Sequence, residues 1–316
     1  MKNKNIAIFS GSSNPRLAQS ICRQLEHPLG KIRRLRFSSG EIYIRYEEGL
    51  RNRDVYLIQT FSHPVNEHFV ELLVMIDAAK RASAKTVTIV VPYFGYARQE
   101  RTSAPREPIS AKLVADMLET AGADRLITLD LHAAAIQGFF NIPVDHLTAL
   151  DMICDVIKSL KVKHPIIVSP DAGRMKTAEK AADYLNYPCA IMIKKRPSFN
   201  NALITHVVGE VTGRTPIIIE DMIDTGSTIV NVVEGLKERG ADDAYVCATH
   251  PVFSGAALTR LHHPMIKEII VTDSIPLPEQ YPGFLRVISV SVLLAKAIRI
   301  HYSGGSISNL FKSSRE

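Results

Sequence analysis

Short runs of β-branched and other apolar residues recur along this chain, and between them the apolar positions fall at helical spacing. The strand-like runs are Ile6–Phe9, Asp54–Gln59, Thr86–Val91, Leu126–Leu131, Pro165–Val168, Pro216–Ile219, Ala244–Ala248 and Glu268–Val271. Such alternation predicts parallel α/β architecture, because a parallel strand pair needs a long crossover and a helix supplies it. The helices carry their own boundary signals. Asn14-Pro15 gives a cap followed by proline at the first helical position, and Leu17, Ile21, Cys22 and Leu25 then share one face. Ser110 is placed to cap AKLVADMLETAG, which Gly122 ends. The segment Val70–Ala82, VELLVMIDAAKRA, is apolar around much of its circumference, which predicts an internal packing helix with its methionine in the core.

The densest chemistry follows one of these strands. In TPIIIEDMIDTGST, residues 215–228, the run Ile217, Ile218, Ile219 is that of a strand buried on both faces, and Glu220 and Asp221 stand where it is expected to end. Asp224-Thr225-Gly226-Ser227-Thr228 then leads into a helix marked by Ile229, Val230, Val232, Val233 and Leu236, with Gly240 placed to end it. A loop at a helix N-terminus offers unpaired N–H groups. Together with the Thr225, Ser227 and Thr228 hydroxyls these can surround a phosphate, while the acids upstream can accept from sugar hydroxyls. Unlike a nucleoside-triphosphatase loop, this one has no Gly-Lys-Ser/Thr, so the other phosphates of its ligand need cations from elsewhere. An ordinary βα turn with a Thr/Ser cap shares the DTGST part but not the acidic pair.

Candidate partners for that loop lie beyond other strands. Tyr-Ala-Arg98-Gln99-Glu-Arg follows the buried run TVTIVVPYFG, so Arg98 and Gln99 fall just past a strand's carboxyl end, where open α/β sheets bind ligands. Arg98 can grip a phosphate and Gln99 a base or ribose edge. TSAPREP beyond them is punctuated by proline and aperiodic, as a mobile lid would be, and equally as an exposed loop would be. In LITLDLH, strand alternation would put Asp130 and His132 on one side, where they could hold Mg²⁺ or its water shell. A strand-end histidine that is merely hydrogen-bonded reads the same way. The other ten histidines are given no role. Asp171, in the small-residue turn after PIIVS, is placed to bind a second cation or the sugar, and Lys194 and Arg196 end another apolar strand with charge suited to a transferring phosphoryl group.

Composition narrows the class without changing this picture. The 316 residues suffice for two domains, placed at 1–146 and 147–316, with the helical LLAKAIRIHY near the C-terminus expected to return to the first. Hydrophobic residues make up 46% and no apolar run is long enough to span a bilayer, and the N-terminal apolar stretch has only a strand's length. Neither a membrane nor a signal peptide is indicated. The four cysteines, Cys22, Cys154, Cys189 and Cys247, lack metal or disulfide spacing, which fits a reduced cytoplasm. The net charge of +6 sits in short basic pieces, KIRRLR, YARQER and KKR, rather than in a long basic helix or an aromatic-interleaved platform. Small phosphorylated ligands are indicated, and nucleic acid is not.

The motifs SSNPRLA, FSSGE, PVNEHFVELLVMIDAAKRASAKTV, PYFGYARQER, REPISAKLVADMLETAGADRLITLDLHAAAIQGFF, IVSPDAG, EDMIDTGST, CATHPVFSG and SISNLF run in order over nearly the whole chain. In that order they resemble the ribose-phosphate pyrophosphokinases. The resemblance implies an α/β fold of two phosphoribosyltransferase-like domains, each a mainly parallel sheet flanked by helices. It also implies Mg²⁺-dependent transfer of the diphosphoryl group of ATP to ribose 5-phosphate. It assigns Lys194 and Arg196 to catalysis, and Phe37, Ser39, Gly40, Glu41, Arg98, Gln99 and His132 to ATP. Arg196, Glu220, Asp221, Asp224, Thr225, Gly226, Ser227 and Thr228 fall to ribose 5-phosphate, and His132, Asp171 and Asp130 to the metal. The FSSGE segment would reach adenine bound by a neighbouring subunit, which implies a homo-oligomer, a hexamer. Arg51, Arg106, Ser306 and Ser308 match positions where the phosphate-activated, ADP-inhibited class binds its effectors.

Four positions depart from that pattern: Ser39 for Asp or Asn, Glu100 for Asp, Asn141 for an acid, and Arg174 for the second glycine of PDAGG. Arg174 puts a large cation beside the substrate turn, and Asn141 is expected to weaken any cation held there. The departures leave open a non-catalytic regulatory subunit. The acid-acid-loop motif is also shared by base-transferring phosphoribosyltransferases.

Overall fold

The computed structural model describes residues 5–198, 201–308 and 310, with only the backbone of 194–198 and 201–205. The chain divides into two compact units. One comprises Met1–Thr148, Ser274–Pro276 and Ser289–Glu316, and the other Ala149–Asp273 and Leu277–Ile288.

In the first unit, strands β1 (Ile6–Ser10), β4 (Asp54–Ile58), β5 (Thr86–Val91), β6 (Arg125–Leu129) and β7 (Val144–Leu147) form a parallel sheet in that order. An antiparallel hairpin, β2 (Ile32–Arg36) and β3 (Ile42–Tyr46), stands apart from it. The helices are α1 (Pro15–Leu25), α2 (Val65–Arg81), α3 (Ser110–Ala121) and the C-terminal α8 (Ser291–Tyr302). Asn14 caps α1 as its sequence predicts, its side chain accepting from Leu17 N–H at 3.2 Å. Ser110 does not cap α3: its hydroxyl donates to Gln99 Oε1 at 2.6 Å, and the helix begins without a side-chain cap. Gly122, at φ +110, ends α3 as expected. Helix α2 buries Phe69, Leu72, Met75, Ile76 and Ala79 against the sheet while Val70 is exposed, so it is one-sided rather than internal. Met75 is fully buried, in keeping with a core role. Helix α8 packs on α1, where Arg299 donates to the carbonyl of Gln24 at 2.7 Å, and Tyr56 Oη lies 2.8 Å from His301 Nδ1.

The second unit carries a seven-stranded sheet in the order β10 (Asn201–Val208), β9 (Cys189–Ser198), β8 (Pro165–Ser169), β11 (Thr215–Ile223), β12 (Ala244–Pro251), β13 (Ile266–Thr272) and β14 (Leu285–Ile288). Only the β10–β9 pair is antiparallel. Helices α4 (Leu150–Ser159), α5 (Met175–Leu185), α6 (Ser227–Lys237) and α7 (Ala257–Leu261) complete it. Alternation along β11 divides its isoleucines between two cores: Ile218 packs with Val168, Val246 and Ile269, whereas Ile217 and Ile219 pack with Ile167, Cys247 and Ile270. Ile217–Ile219, buried toward both cores, are apolar without a break, which is why this run was legible. Cys22, Cys154 and Cys247 are buried free thiols, and burial pushes Cys22 and Cys154 up to about 12. No helix among the described residues is long and apolar enough to cross a membrane.

Candidate functional site

Strand β11 outruns its neighbour. Its register with β8 closes at Ile218 opposite Val168, whereas its pairing with β12 continues through Glu220, Met222 and Ile223. The acidic pair, expected where the strand ends, therefore lies within it, two residues before its end at Ile223, on the edge that β8 leaves open. The turn following β8 comes back against that edge. There Arg174, ending a short 3-10 segment, places Nε 3.1 Å from Glu220 Oε1 and Nη2 2.7 Å from Asp221 Oδ2. All three side chains are nearly dry, at 13%, 10% and 6% exposure. Glu220 Oε1 also accepts from Asp221 N–H at 3.1 Å, and Asp221 Oδ1 from Met222 N–H at 2.9 Å. Burial, then the neighbouring Asp221 carboxylate, raises the Glu220 carboxyl well above its usual range, and Arg174 opposes both. Arg174 has φ −99°, ordinary helical backbone, so the glycine expected there is not a conformational necessity.

Beyond Ile223 the chain turns through Asp224, Thr225 and Gly226 into α6. Gly226 takes φ +77°, and a Cβ there would lie 2.9 Å from Leu261 Cγ, so both conformation and α7 packing demand glycine. The helix starts without a side-chain cap, leaving the exposed Thr225, Ser227 and Thr228 hydroxyls uncommitted to its N–H groups; Thr225 Oγ1 lies 3.4 Å from Ser227 Oγ. This differs from the Thr/Ser-capped βα turn. Two braces that the sequence did not reveal hold the turn: Ser254 N–H donates to the Asp224 carbonyl at 3.1 Å, and Arg260 donates to the carbonyl of Thr225. In the same unit, Asp171 follows β8 and its Oδ1 accepts from Gly173 N–H at 3.0 Å. Lys194 and Arg196 lie on β9, and their side chains are outside the described residues.

The first unit holds the remaining candidates. Strand β6 ends at Leu129, and Asp130, at φ +33°, has already left it, so Asp130 and His132 do not share a strand face by alternation. They sit on a half-buried loop, where Leu131 N–H donates to His146 Nε2 at 2.8 Å. His146, given no role by its sequence context, thus fixes the backbone between the two. Arg98 and Gln99 are exposed after β5, with Gln99 oriented by Ser110. The segment 101–109 is exposed and irregular, with Glu107 Oε2 accepting from Ser103 and Ala104 N–H at 2.7 and 2.9 Å. Phe37, Ser39, Gly40 and Glu41 form the tip of the β2–β3 hairpin, where Phe37 is 53% exposed and Ser39 Oγ donates to Glu41 Oε2 at 2.6 Å. Arg51, Arg106, Ser306 and Ser308 are all exposed. Asn141 donates from Nδ2 to Glu119 Oε2 at 2.9 Å, a bond that an ionised acid at this position could not make.

Among the described residues, no three His, Cys, Asp or Glu side chains are grouped closely enough to cage a metal. Asp130 and Asp171 are each half-buried.

Two α/β units, the second carrying a strand, an acidic pair, a hydroxyl-rich turn and a helix in succession, make this a parallel α/β protein whose polar groups gather at the carboxyl ends of its strands. Residues 6–122 match the N-terminal domain of ribose phosphate pyrophosphokinase, and residues 168–312 match the phosphoribosyl synthetase-associated domain. Ribose-phosphate pyrophosphokinase from Bacillus cereus is 49% identical over 98% of this chain and 98% of its own length. That from Staphylococcus aureus is 50% identical, again over 98% of both. The crystal structure of phosphoribosylpyrophosphate synthetase from Mycobacterium smegmatis matches with a TM-score of 0.90 at 41% identity, covering 96% of this chain and 100% of that one. The chain belongs to the ribose-phosphate pyrophosphokinase family.

Proposed function

We propose that this chain transfers the β,γ-diphosphoryl group of ATP to the 1-hydroxyl of ribose 5-phosphate, releasing AMP and 5-phosphoribosyl 1-diphosphate. The observation that carries this reading is the succession Glu220-Asp221, Asp224–Thr228 and the uncapped start of α6, in a chain similar along its whole length to ribose-phosphate pyrophosphokinases. The turn with its three hydroxyls and the α6 N–H groups receives the 5-phosphate, and the acidic pair accepts from the ribose hydroxyls. Oriented in this way, the 1-hydroxyl oxygen bonds to the β-phosphorus as the bond from that phosphorus to the α,β-bridging oxygen breaks. The hydroxyl proton passes to solvent, and AMP leaves with the bridging oxygen.

Lys194 and Arg196 stabilise charge on the transferring group, an interaction strongest at the transition state. Arg98 holds a nucleotide phosphate, and Gln99, aligned by Ser110, holds the nucleoside. Asp130 with His132, and separately Asp171, would hold Mg²⁺, which when bound would supply charge that neutralises the polyphosphate. The hairpin tip Phe37, Ser39, Gly40 and Glu41 reaches adenine held by a neighbouring copy in a homo-oligomer, a hexamer. Exposure of the Phe37 ring at the tip of a hairpin outside the main sheet supports that role. Phosphate and ADP act as effectors through Arg51, Arg106, Ser306 and Ser308.

The test is to incubate the protein with ATP, Mg²⁺ and ribose 5-phosphate and separate the products. AMP and 5-phosphoribosyl 1-diphosphate are expected in equal amounts, and folded protein that yields neither contradicts the reading.

A further inference from the structure

Two adjacent carboxylates in a nearly dry setting need compensation, because their mutual repulsion is little screened and each has lost most of its hydration. A protein can supply a proton, a metal ion or a fixed basic side chain. Here Arg174 supplies such a side chain, its Nε and Nη2 meeting one carboxylate each, Glu220 at 3.1 Å and Asp221 at 2.7 Å. A guanidinium neither deprotonates nor dissociates under ordinary conditions. The position is one where sequence resemblance leads one to expect glycine, and the backbone at φ −99° accepts a side chain without strain. The arginine is therefore an addition to the site rather than a structural substitute.

We propose that Arg174 is a built-in counter-cation of the acidic pair: it occupies the place that a divalent cation could otherwise take between Glu220 and Asp221, so that the pair is reserved for the neutral hydroxyls of its sugar ligand. The hydroxyl half of this statement rests on the function proposed above; the exclusion of a metal does not. Arg174 acts through the two carboxylates and is a positioning residue. Its removal takes a fixed positive charge from between two buried oxygen ligands, a change that favours a hard, oxygen-preferring cation there. Lysine at the same place still brings one positive charge, although without the two-pronged geometry.

The test counts Mn²⁺ bound to the full chain without substrates, from the loss of the free-ion electron paramagnetic resonance signal. Arg174→Gly is expected to bind one more Mn²⁺ per chain than the unaltered protein, and Glu220→Gln in that background to remove the addition. Arg174→Lys is expected to keep the original count. Arg174→Gln, which retains the stem and loses the charge, gives the same added site should the glycine variant fail to fold. An unchanged count in the neutral variants overturns the proposal. So does the unaltered protein losing a Mn²⁺ on Glu220→Gln, which needs no change at position 174. A second readout is kinetic: KM for ribose 5-phosphate becomes several-fold more sensitive to free Mg²⁺ in Arg174→Gly. Because the count involves neither substrate, absence of diphosphoryl transfer would remove the functional reading and leave the counter-cation result standing.

Discussion

The backbone N–H of Leu131 donates to Nε2 of His146 at 2.8 Å, tying the loop that carries Asp130 and His132 to strand β7. His146→Leu leaves that N–H without its acceptor, at a cost of roughly 1–3 kcal/mol. A drop in Tm of about 2–10 °C is expected for a unit of this size, together with a raised KM for ATP. His146→Gln restores an acceptor and should recover most of both. Equal losses in the two variants would show that ring volume, not the hydrogen bond, is what matters.

Lys194→Ala removes a cation assigned to the transferring group. A fall in kcat of about 10²–10³ is expected, the range seen when one transition-state donor is removed, with KM for ribose 5-phosphate little changed and the circular dichroism spectrum intact. Asp224→Ala should do the reverse, raising KM for ribose 5-phosphate more than it lowers kcat. A near-normal kcat in Lys194→Ala contradicts its assignment.

Gly226→Ala forces a Cβ into a left-handed backbone against Leu261, where the ideal position is 2.9 Å from Cγ. A cost of about 1–2 kcal/mol follows from conformation alone, and distortion of the turn should raise KM for ribose 5-phosphate. Gly240→Ala is the control, also left-handed at φ +78° but placed beside Thr212 at the far end of α6. It should lose comparable stability with KM unchanged, and parallel KM effects would deny the turn a specific role.

His301 supplies a pH dependence. Burial, then the Arg125 charge, lowers its pKa below the usual imidazole value, with Asp145 and Asp54 opposing. The unfolded chain therefore binds the proton first. Stability present above about pH 6.5 is lost as the pH falls through the folded-state value. His301→Gln, which can still meet Tyr56 but cannot titrate, should flatten the decline in Tm between pH 7.5 and 5. An identical decline in both proteins would place the acid sensitivity elsewhere.

The legible parts of the fold were those where one local pattern had one physical outcome. Thr86–Val91 was readable to the residue because a doubly buried parallel strand favours an unbroken β-branched run, here Val and Ile with Thr86 and Thr88. Asn14-Pro15 was readable because cap and proline act within one turn. The hairpin β2–β3 was missed because Ile32–Arg36 is largely exposed and rich in arginine, so no apolar run marks it. The end of β6 was set two residues too late because LDL continues the apolar alternation, while a tertiary bond from His146 governs the backbone there. For the site, the acidic pair and the DTGST turn are contiguous and could be read directly. Arg174's double ion pair, Ser254 and Arg260 come from the turn after β8, the loop after β12 and helix α7, and their sequence surroundings carry no periodic or motif signal for those contacts.

The central claim is that the two terminal phosphates of ATP move together. Following the reaction with ribose 5-phosphate and Mg²⁺ by phosphorus nuclear magnetic resonance tests it most directly. The account predicts AMP and one product bearing two mutually coupled phosphorus signals beside a separate 5-phosphate. ADP together with a product carrying only isolated phosphate signals would mean that a single phosphoryl group is transferred, and would contradict it.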